Sequence, residues 1–198
     1  MSHYFTTDST EHDYKEIEFH FSGHTFKFKT DRGVFSKDRV DYGTEVLLKG
    51  VIKDAGSLEA LDIIDMGAGY GPIGITAAGL FHAKPLMVEV NEDAVELLSE
   101  NIKRNNVDAK VMTRRHYDEV KDIKVDMYIT NPPFRAGKNV VLDMVDDAFL
   151  RLNDEGAFYM VVQKKQGMPS YRRKIEEVFG SAEVVLKDKG YYVLKGHK

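Results

Sequence analysis

The 198-residue chain contains no cysteine. This excludes disulfide bonds, thiolate catalysis and cysteine-based zinc sites, and it fits a reducing cytosol. Proline is scarce, with five residues. Two of them stand side by side as Pro132 and Pro133, directly after Asn131. A folding role does not require this pairing, so the segment is a candidate for chemistry.

Long apolar runs are also lacking, since none approaches the roughly 20 residues of a membrane span. The polar start, MSHYFTTDSTEHDYKE, has no apolar core of a secretory signal. The seven histidines show no i,i+4 pairing and no clustering with acidic residues, so no metal is expected. We therefore expect a cytoplasmic protein without a membrane or metal partner. Its length and 42% hydrophobic content predict one domain.

The formal net charge of −4 hides an asymmetry along the chain. Residues 131–198 hold 12 Lys and Arg against 9 Asp and Glu, with basic residues concentrated in QKKQG and YRRK. Two interpretations stay open on this observation, a solvated surface of mixed charge and a contact surface for RNA.

The hydrophobic pattern divides the chain into an N-terminal extension, residues 1–58, and a main segment, residues 59–198. In the extension, apolar residues at every second position on both sides of Gly23 predict a β-hairpin. Asp41 is a candidate N-cap for a helix over residues 42–53. In the main segment strands and helices alternate, which predicts a doubly wound, mostly parallel sheet. A closing hairpin gives this sheet an antiparallel last strand.

The predicted elements of the main segment follow one another with short connections. Strands are expected over residues 61–66, 86–90, 109–113, 125–130, 157–162, 183–186 and 191–194. Helices are expected over residues 72–81, 92–105 and 140–151, the last of them capped by Asn139.

A glycine-rich turn, DMGAGYGPIG, joins the first predicted core strand to a helix, and it allows two interpretations. Counted from Gly69, it satisfies G-x-G-x-x-G, and Glu89 stands where an acidic residue would bind the ribose of a dinucleotide. Counted from Asp65, it reads D-x-G-x-G-x-G. A carboxylate there would repel a pyrophosphate, but it suits a cofactor with a cationic amino acid head, such as S-adenosylmethionine.

The segment Asn131-Pro132-Pro133-Phe134 follows a later strand and fits chemistry on a planar amine. The Asn131 side-chain oxygen and the Pro132 carbonyl could accept both N–H groups of the amine and favour a pyramidal nitrogen. The prolines would hold these acceptors still. Phe134 offers a face on which a base can stack.

Together these motifs resemble the class I S-adenosylmethionine-dependent methyltransferases, in particular the small-domain group that includes bacterial 16S rRNA guanine-N2 methyltransferases. The segments TDRGVFSKDRVDYGT and VEVNEDAVELLSENIKRNNV share the resemblance. It implies a Rossmann-like, seven-stranded sheet and S-adenosylmethionine as cofactor. It also implies catalytic roles for Asn131, Pro132 and Phe134. The cofactor residues it implies are Asp65, Gly67, Gly69, Gly71, Glu89 and Asn91, with Gly33, Phe35 and Ser36 at the rim.

One position departs from the family pattern. Members usually place an Asp after the third strand to meet the adenine amino group, and this chain has Arg115 there, so Asp118 is the candidate substitute. The resemblance favours guanine N2 of 16S rRNA as substrate, while adenine N6 and a protein glutamine remain open, and so does a non-catalytic RNA-binding module. The partner is then ribosomal RNA or the small ribosomal subunit, bound by a monomer or homodimer. Candidate RNA contacts are Pro133, Arg135, Lys164, Lys165, Arg172 and Arg173.

Overall fold

The computed structural model describes residues 12–198 and shows a two-stranded hairpin beside a seven-stranded sheet with helices on both faces. The strands are β1 Lys15–Phe21, β2 His24–Thr30, β3 Asp62–Met66, β4 Lys84–Glu89, β5 Lys110–Thr113, β6 Val125–Thr130, β7 Leu152–Gln163, β8 Glu183–Asp188 and β9 Tyr191–His197. The helices are α1 Tyr42–Ala55, α2 Pro72–Phe81, α3 Glu92–Arg104, α4 Arg114–Glu119, α5 Lys138–Arg151 and α6 Met168–Phe179. Within the described residues, no helix is long and apolar enough to cross a membrane.

The large sheet has the strand order β5-β4-β3-β6-β7-β9-β8. The pairs from β5 to β7 are parallel, and β9 runs antiparallel to both of its neighbours. This confirms the predicted fold class, including the reversed last strand. The chain turns from β3 to β4 on one side and returns to β6 on the other, so a switch of strand order lies between β3 and β6. Such a point opens a crevice at the carboxyl ends of the strands.

The alternation of side chains along each strand produces two separate hydrophobic layers. On one face, Ile63 and Ile129 pack with α1, α2, α3 and the apolar side of the β1–β2 hairpin. On the other face, Ile64 and Tyr128 pack with α4, α5 and α6. Because the strands are covered on both sides, they read in the sequence as continuous apolar runs rather than as alternating ones.

The N-terminal extension shares the core of the main sheet. Helix α1 packs against β7, β8 and β9, and β2 packs against α3. Asp41 caps α1 as predicted, because its Oδ2 accepts a hydrogen bond from the Thr44 N–H at 3.3 Å. The cap places the start of α1 at the carboxyl edge of the sheet.

The predicted cap of α5 is wrong. The helix begins at Lys138 after Gly137, so Asn139 lies inside its first turn and caps nothing. Gly137 has φ 111°, a conformation that favours glycine, and it turns the chain into the helix without a side-chain cap.

Helices α4 and α6 are absent from the elements predicted above, and β7 begins five residues earlier than predicted, at Leu152. Helix α4 has only six residues, too few for a periodic apolar signal. Helix α6 is amphipathic, with Tyr171 and Ile175 buried at a spacing of four. This spacing of apolar residues is present in the sequence, where many charged residues surround it.

Candidate active site

The strand register assembles the two sequence motifs at one place. Met66, at the end of β3, pairs with Val88 of β4 and with Thr130 of β6. The residues that follow these three in the chain are Gly67, Glu89 and Asn131, so all three lie at the carboxyl edge beside the strand-order switch. The Thr130 hydroxyl donates to the Met66 carbonyl at 2.8 Å and ties the two strand ends together.

The glycine turn leaves open space where side chains would otherwise project. Gly67, Gly69 and Gly71 have φ 74°, 58° and 101°, values at which a side chain is strained. A Cβ atom built at Gly67 or Gly69 would meet no atom within 4 Å, whereas one at Gly71 would lie 2.5 Å from Leu98 Cδ1. The first two glycines therefore border a cradle, and the third allows α2 to pack against α3.

Four N–H groups of this turn, those of Gly67, Ala68, Gly69 and Gly71, are already bonded within the protein. Gly67 and Ala68 both donate to the Val88 carbonyl, at 2.9 and 3.0 Å, and Gly71 donates to the Ala68 carbonyl at 2.9 Å. Gly69 donates to Glu89 Oε2 at 2.8 Å. A pyrophosphate needs free N–H donors, and these four N–H groups are already used within the protein. The geometry disfavours the dinucleotide interpretation and fits a cofactor whose sugar hydroxyls and cationic head need acceptors.

Glu89 is held rigidly at the lip of the cradle. Its Oε1 accepts from the N–H groups of Val90 and Asn91, at 2.7 and 3.0 Å, while Oε2 accepts from Gly69. Asn91 in turn caps α3, with its side-chain oxygen accepting from the Asp93 N–H at 3.0 Å. The carboxylate orientation is therefore fixed before any ligand binds, which suits the ribose-binding role predicted for it.

Asp65 lies beneath the turn and is fully buried. Its Oδ2 accepts from the Gly74 N–H in the first turn of α2 at 2.9 Å. Its Oδ1 has no hydrogen-bond partner among residues 12–198. Burial is the main cause that raises the pKa of this carboxyl group to about 7, against the lowering effect of the Gly74 bond. Asp65 shapes the turn from below, and its contact with a cofactor ammonium group stays a prediction.

The side chain of Asn131 is oriented by the start of α1. Its Nδ2 donates to Asp41 Oδ2 at 3.1 Å and to Thr44 Oγ1 at 3.0 Å. A carboxylate only accepts hydrogen bonds, so the amide atom that faces Asp41 must be the nitrogen. Both N–H groups are thus used inside the protein. The Oδ1 atom, for which the described residues supply no donor, remains as the acceptor for a bound amine.

The two prolines form a tight turn after Asn131. The Phe134 N–H donates to the Pro132 carbonyl at 2.9 Å, and Pro133 has φ −79° and ψ 75°, the geometry of an inverse γ-turn. The Pro132 carbonyl keeps a second lone pair for another donor. The Phe134 ring is half-buried and lies 5.6 Å from the Tyr171 ring of α6, tilted by 58°. Its position at the edge of the site is therefore set by packing.

The segment before α1 reaches the glycine turn at its rim. The Tyr70 hydroxyl donates to the Ser36 carbonyl at 3.4 Å. Gly33 has φ 116° and Ser36 has φ 59°, so the segment bends sharply twice. Phe35 between them is 67% exposed, which is unusual for a side chain of its size. The structure brings Ser36 beside the turn, and the predicted contact of this segment with the cofactor stays a prediction.

The departure from the family pattern falls on an exposed side chain. Arg115 is 92% exposed in its side chain and lies 3.9 Å from Glu119 on the same helix. Its neighbour Arg114 points inward, with Nη1 at 3.5 Å from Met66 Sδ and Nε bonded to Asp118 Oδ1 at 2.8 Å. The carboxylate of Asp118 is therefore engaged by an arginine, and its predicted contact with adenine remains a prediction.

The predicted RNA-contacting residues are all exposed. Pro133 and Arg135 belong to the Asn-Pro-Pro-Phe turn and its continuation. Lys164 and Lys165 follow β7 at the carboxyl edge, and none of the ion pairs among residues 12–198 includes either of them. Arg172 and Arg173 follow Tyr171 on α6, the residue that contacts Phe134. Lys164 and Lys165 therefore lie at the same edge as Asn131, and the approach of Arg172 and Arg173 to the site stays a prediction.

Sequence reasoning missed three contributors to the site, Thr44, Tyr171 and the second function of Asp41. The capping pattern of Asp41 was readable, but its bond to Asn131 joins residues 90 positions apart. Such a contact leaves no local signal. Among residues 12–198, no group of three or more His, Asp or Glu is arranged to hold a metal ion.

Comparison with known proteins gives one family and several relatives. The family model described as "Methyltransferase small domain" matches residues 25–195. The chain is 38% identical over 200 residues to "Uncharacterized protein YbxB" of Bacillus subtilis, which it covers almost completely, at 98% of its length. It is 27% identical over 192 residues to "Ribosomal RNA small subunit methyltransferase C" of Aliivibrio fischeri, covering 93% of this chain and 53% of the relative.

Among solved structures, the 16S rRNA N2 G1207 methyltransferase RsmC of T. thermophilus, in complex with AdoMet and guanosine, superposes with a TM-score of 0.85 at 26% identity. The match covers 93% of this chain and 50% of that one. A methyltransferase from Pyrococcus furiosus, at 20% identity and a TM-score of 0.65, shows the shared fold. The chain spans about half the length of the ribosomal RNA methyltransferases that it matches.

Proposed function

The chain belongs to the family of small-domain methyltransferases, and on that premise we propose that it transfers a methyl group from S-adenosylmethionine to an exocyclic amine of a base in RNA. The observation that carries this proposal is the fixed amide of Asn131. Because its two N–H groups bind Asp41 and Thr44, it presents an acceptor at the carboxyl edge beside the glycine cradle. An acceptor suits an amine and repels a carbonyl or a phosphate.

S-adenosylmethionine, when bound, supplies a methyl group on a sulfonium centre for direct transfer to a nucleophile. The residues that would hold it are the cradle glycines Gly67 and Gly69, with Glu89 at the ribose. The open space over Gly67 and Gly69, and the bonding of the Gly67, Ala68, Gly69 and Gly71 N–H groups within the protein, fit a cofactor without phosphate. Asp65, Gly71 and Asn91 support this surface from below and from the side.

The protein's part in the reaction is to orient the amine and to change its electronic state. An exocyclic amine conjugated to a base is a weak nucleophile because its lone pair is delocalised into the ring. Hydrogen bonds from its two N–H groups to Asn131 Oδ1 and to the Pro132 carbonyl favour a pyramidal nitrogen. The lone pair then points away from the ring, and fixed acceptors give this effect without reorganisation.

Within this reaction class we propose the N2 amine of a guanine in 16S rRNA as the acceptor. The support comes from relatives whose names specify small-subunit rRNA, and from the similar T. thermophilus enzyme in complex with guanosine. Phe134 would stack the base, and its contact with Tyr171 keeps the ring in place. Lys164, Lys165, Arg172 and Arg173 would contact phosphates, with Pro133 and Arg135 beside the entering strand.

The experiment that tests the proposal uses methyl-labelled S-adenosylmethionine with 30S subunits and with 16S rRNA from a strain lacking the enzyme. The RNA is digested to nucleosides and the labelled nucleoside is identified. We expect label in N2-methylguanosine and none with Asn131→Ala. Calorimetry on the same variant should show unchanged cofactor binding, because Asn131 lies outside the cradle.

Other outcomes separate the alternatives. Label in N6-methyladenosine would keep the mechanism and replace the substrate, whereas labelled protein glutamine would replace RNA altogether. Cofactor binding without any transfer would favour a non-catalytic RNA-binding module. Binding of NAD in place of S-adenosylmethionine would overturn the interpretation of the cradle.

A further inference from the structure

The amide of Asn131 depends on two residues of the N-terminal extension that no motif assigns to the reaction. Asp41 Oδ2 receives two hydrogen bonds, one from the Thr44 N–H as the cap of α1 and one from Asn131 Nδ2. Thr44 Oγ1 receives the second N–H of the same amide. Thr44 is 4% exposed, so this contact lies in a nearly dry environment where hydrogen bonds and charges act strongly.

The chain makes room for this arrangement at Gly43. A Cβ atom there would lie 2.7 Å from Asp41 Oδ2 and 2.8 Å from Tyr191 Cε1. Any larger residue would push the carboxylate away from Asn131 or displace the β9 aromatic ring. The D-Y-G-T segment, Asp41 to Thr44, therefore does more than start a helix.

We propose that Asp41 and Thr44 are positioning residues for methyl transfer, and that the Asp41 carboxylate also balances the positive charge that develops on the amine. The first part follows from the amide geometry: with Asp41 and Thr44 as acceptors, Asn131 can bind only with its oxygen toward the substrate. This inference rests on the proposed function.

The second part follows from charge. When the amine nitrogen forms its bond to the methyl carbon, the bond from that carbon to the sulfonium sulfur breaks and leaves a neutral thioether. The nitrogen is then positive until it releases one proton to water. A negative group behind the amide draws the Asn131 N–H dipoles toward itself and leaves Oδ1 a stronger acceptor. The amide thus connects the carboxylate to the amine through two hydrogen bonds, and the stabilisation is larger in the transition state than in the bound substrate.

Three substitutions separate these roles. Asp41→Asn keeps the cap and the acceptor oxygen but removes the charge, so we expect kcat to fall by roughly tenfold. Asp41→Ser keeps the cap with a shorter side chain that does not reach Asn131, and we expect a loss of roughly a hundredfold. Thr44→Val removes one acceptor. In each case KM for RNA and the affinity for S-adenosylmethionine should change less than about threefold. The substitutions leave in place the interactions that are equally strong in the bound substrate and in the transition state.

A charge exchange gives the sharper test. Asn131→Asp alone sets two carboxylates about 3 Å apart, and like charges at this distance cannot both stay ionised without cost. Combined with Asp41→Asn, the donor and acceptor are exchanged and the bond is restored. We expect the double variant to recover at least tenfold in kcat over Asn131→Asp. Equal activity of the two would overturn the proposal.

Asp54→Asn is the matched control. Asp54 lies at the other end of α1, where its carboxylate accepts from the Tyr159 hydroxyl at 2.6 Å and lies 2.7 Å from Lys195 Nζ. Its replacement should lower stability while kcat stays unchanged. A loss of kcat equal to that of Asp41→Asn would assign the effect to α1 as a whole.

A readout that needs no substrate keeps this inference separate from the proposed function. The side-chain amide signals of Asn131 in NMR, identified by their loss in Asn131→Ala, should shift and exchange faster with water in Asp41→Ser. Unchanged signals would overturn the positioning role even in an active enzyme. Shifted signals in a protein that methylates no RNA would retain the geometry and place the failure in the proposed function.

Discussion

At the scale of single residues, the site is defined by groups whose ordinary properties are altered by burial. Asp65 is the clearest case, a carboxyl group beneath the glycine turn with its pKa raised to about 7. Desolvation penalises its charged form, and the nearby charge of Glu89 adds to the effect. Neither the burial of Asp65 nor its distance from Glu89 can be read from the D-x-G-x-G-x-G pattern alone.

Asp65→Asn should flatten the dependence of stability on pH. The folded state holds this proton more tightly than the unfolded state, where the pKa is 3.8. The stability it contributes is therefore complete below pH 3.8 and is lost as the pH rises toward 7. Denaturant unfolding from pH 4 to 8 measures this, and the difference between wild type and variant isolates Asp65. A parallel pH profile for both proteins would contradict the assignment.

Two glycines of the same turn should respond differently to alanine. Gly67→Ala adds a methyl group in open space at φ 74°, so we expect about 1–2 kcal/mol of strain. The methyl group fills the cradle, and affinity for S-adenosylmethionine should fall at least roughly tenfold, or ~1.4 kcal/mol. Gly71→Ala places Cβ 2.5 Å from Leu98 Cδ1 at φ 101°, and the free energy of unfolding should fall by about 3 kcal/mol or more.

Calorimetric titration and denaturant unfolding of both variants test the contrast. If Gly67→Ala and Gly71→Ala lost the same affinity for S-adenosylmethionine and the same free energy of unfolding, the open space over Gly67 would not be part of the cofactor site.

At the scale of elements, the position of α1 decides whether Asp41 and Thr44 reach Asn131. The helix approaches β9 closely at Gly50, where a Cβ atom would lie 2.9–3.0 Å from three side-chain atoms of Val193. This contact sets the distance of the helix from the sheet. The start of α1 is fixed further by the Tyr42 hydroxyl, which donates to Asp188 Oδ2 at 2.6 Å.

Gly50→Ala should destabilise the protein in spite of the better helix propensity of alanine. Propensity alone favours alanine by about 1 kcal/mol, whereas overpacking against Val193 costs about 1–3 kcal/mol. We expect a net loss in the free energy of unfolding, measured in denaturant. Lys49→Ala on the exposed side of α1 is the control and should stay within about 0.5 kcal/mol. A stabilised Gly50→Ala protein would mean that α1 does not approach β9 this closely.

At the scale of the whole molecule, an acidic protein with a net charge of −4 is proposed to bind a polyanion. Overall attraction cannot supply the affinity, so it must come from a local surface. The four basic residues are the candidates for it: Lys164 and Lys165 follow β7 at the edge that also carries Asn131, and Arg172 and Arg173 lie on α6.

The salt dependence of RNA binding should therefore depend on position rather than on total charge. Replacing Lys164, Lys165, Arg172 and Arg173 by alanine should reduce the slope of log K against log salt by about 3 for a single strand. The control replaces four exposed lysines from the opposite half of the fold, which are Lys53, Lys84, Lys110 and Lys121. Its change in net charge is identical, and its slope should be nearly unchanged. Equal slopes for the two variants would contradict a local RNA surface.

The sequence by itself determined the parts of this protein that follow from short-range rules. The alternation of strands and helices fixed the sheet class, and the glycines at 67, 69 and 71 marked a turn that needs positive φ. The placement of the Asn-Pro-Pro-Phe segment after a strand also followed, because parallel strands end at one edge. These features depend on residues close together in the chain.

The tertiary structure alone decided how these parts act. Four N–H groups of the glycine turn, those of Gly67, Ala68, Gly69 and Gly71, bond to Val88, Ala68 and Glu89, which leaves fewer donors for a pyrophosphate. The Asn131 amide takes its orientation from Asp41 and Thr44, 90 and 87 residues earlier. Hydrogen-bond direction and burial depend on residues that are distant in the chain and that folding brings together. A local sequence pattern therefore cannot predict them.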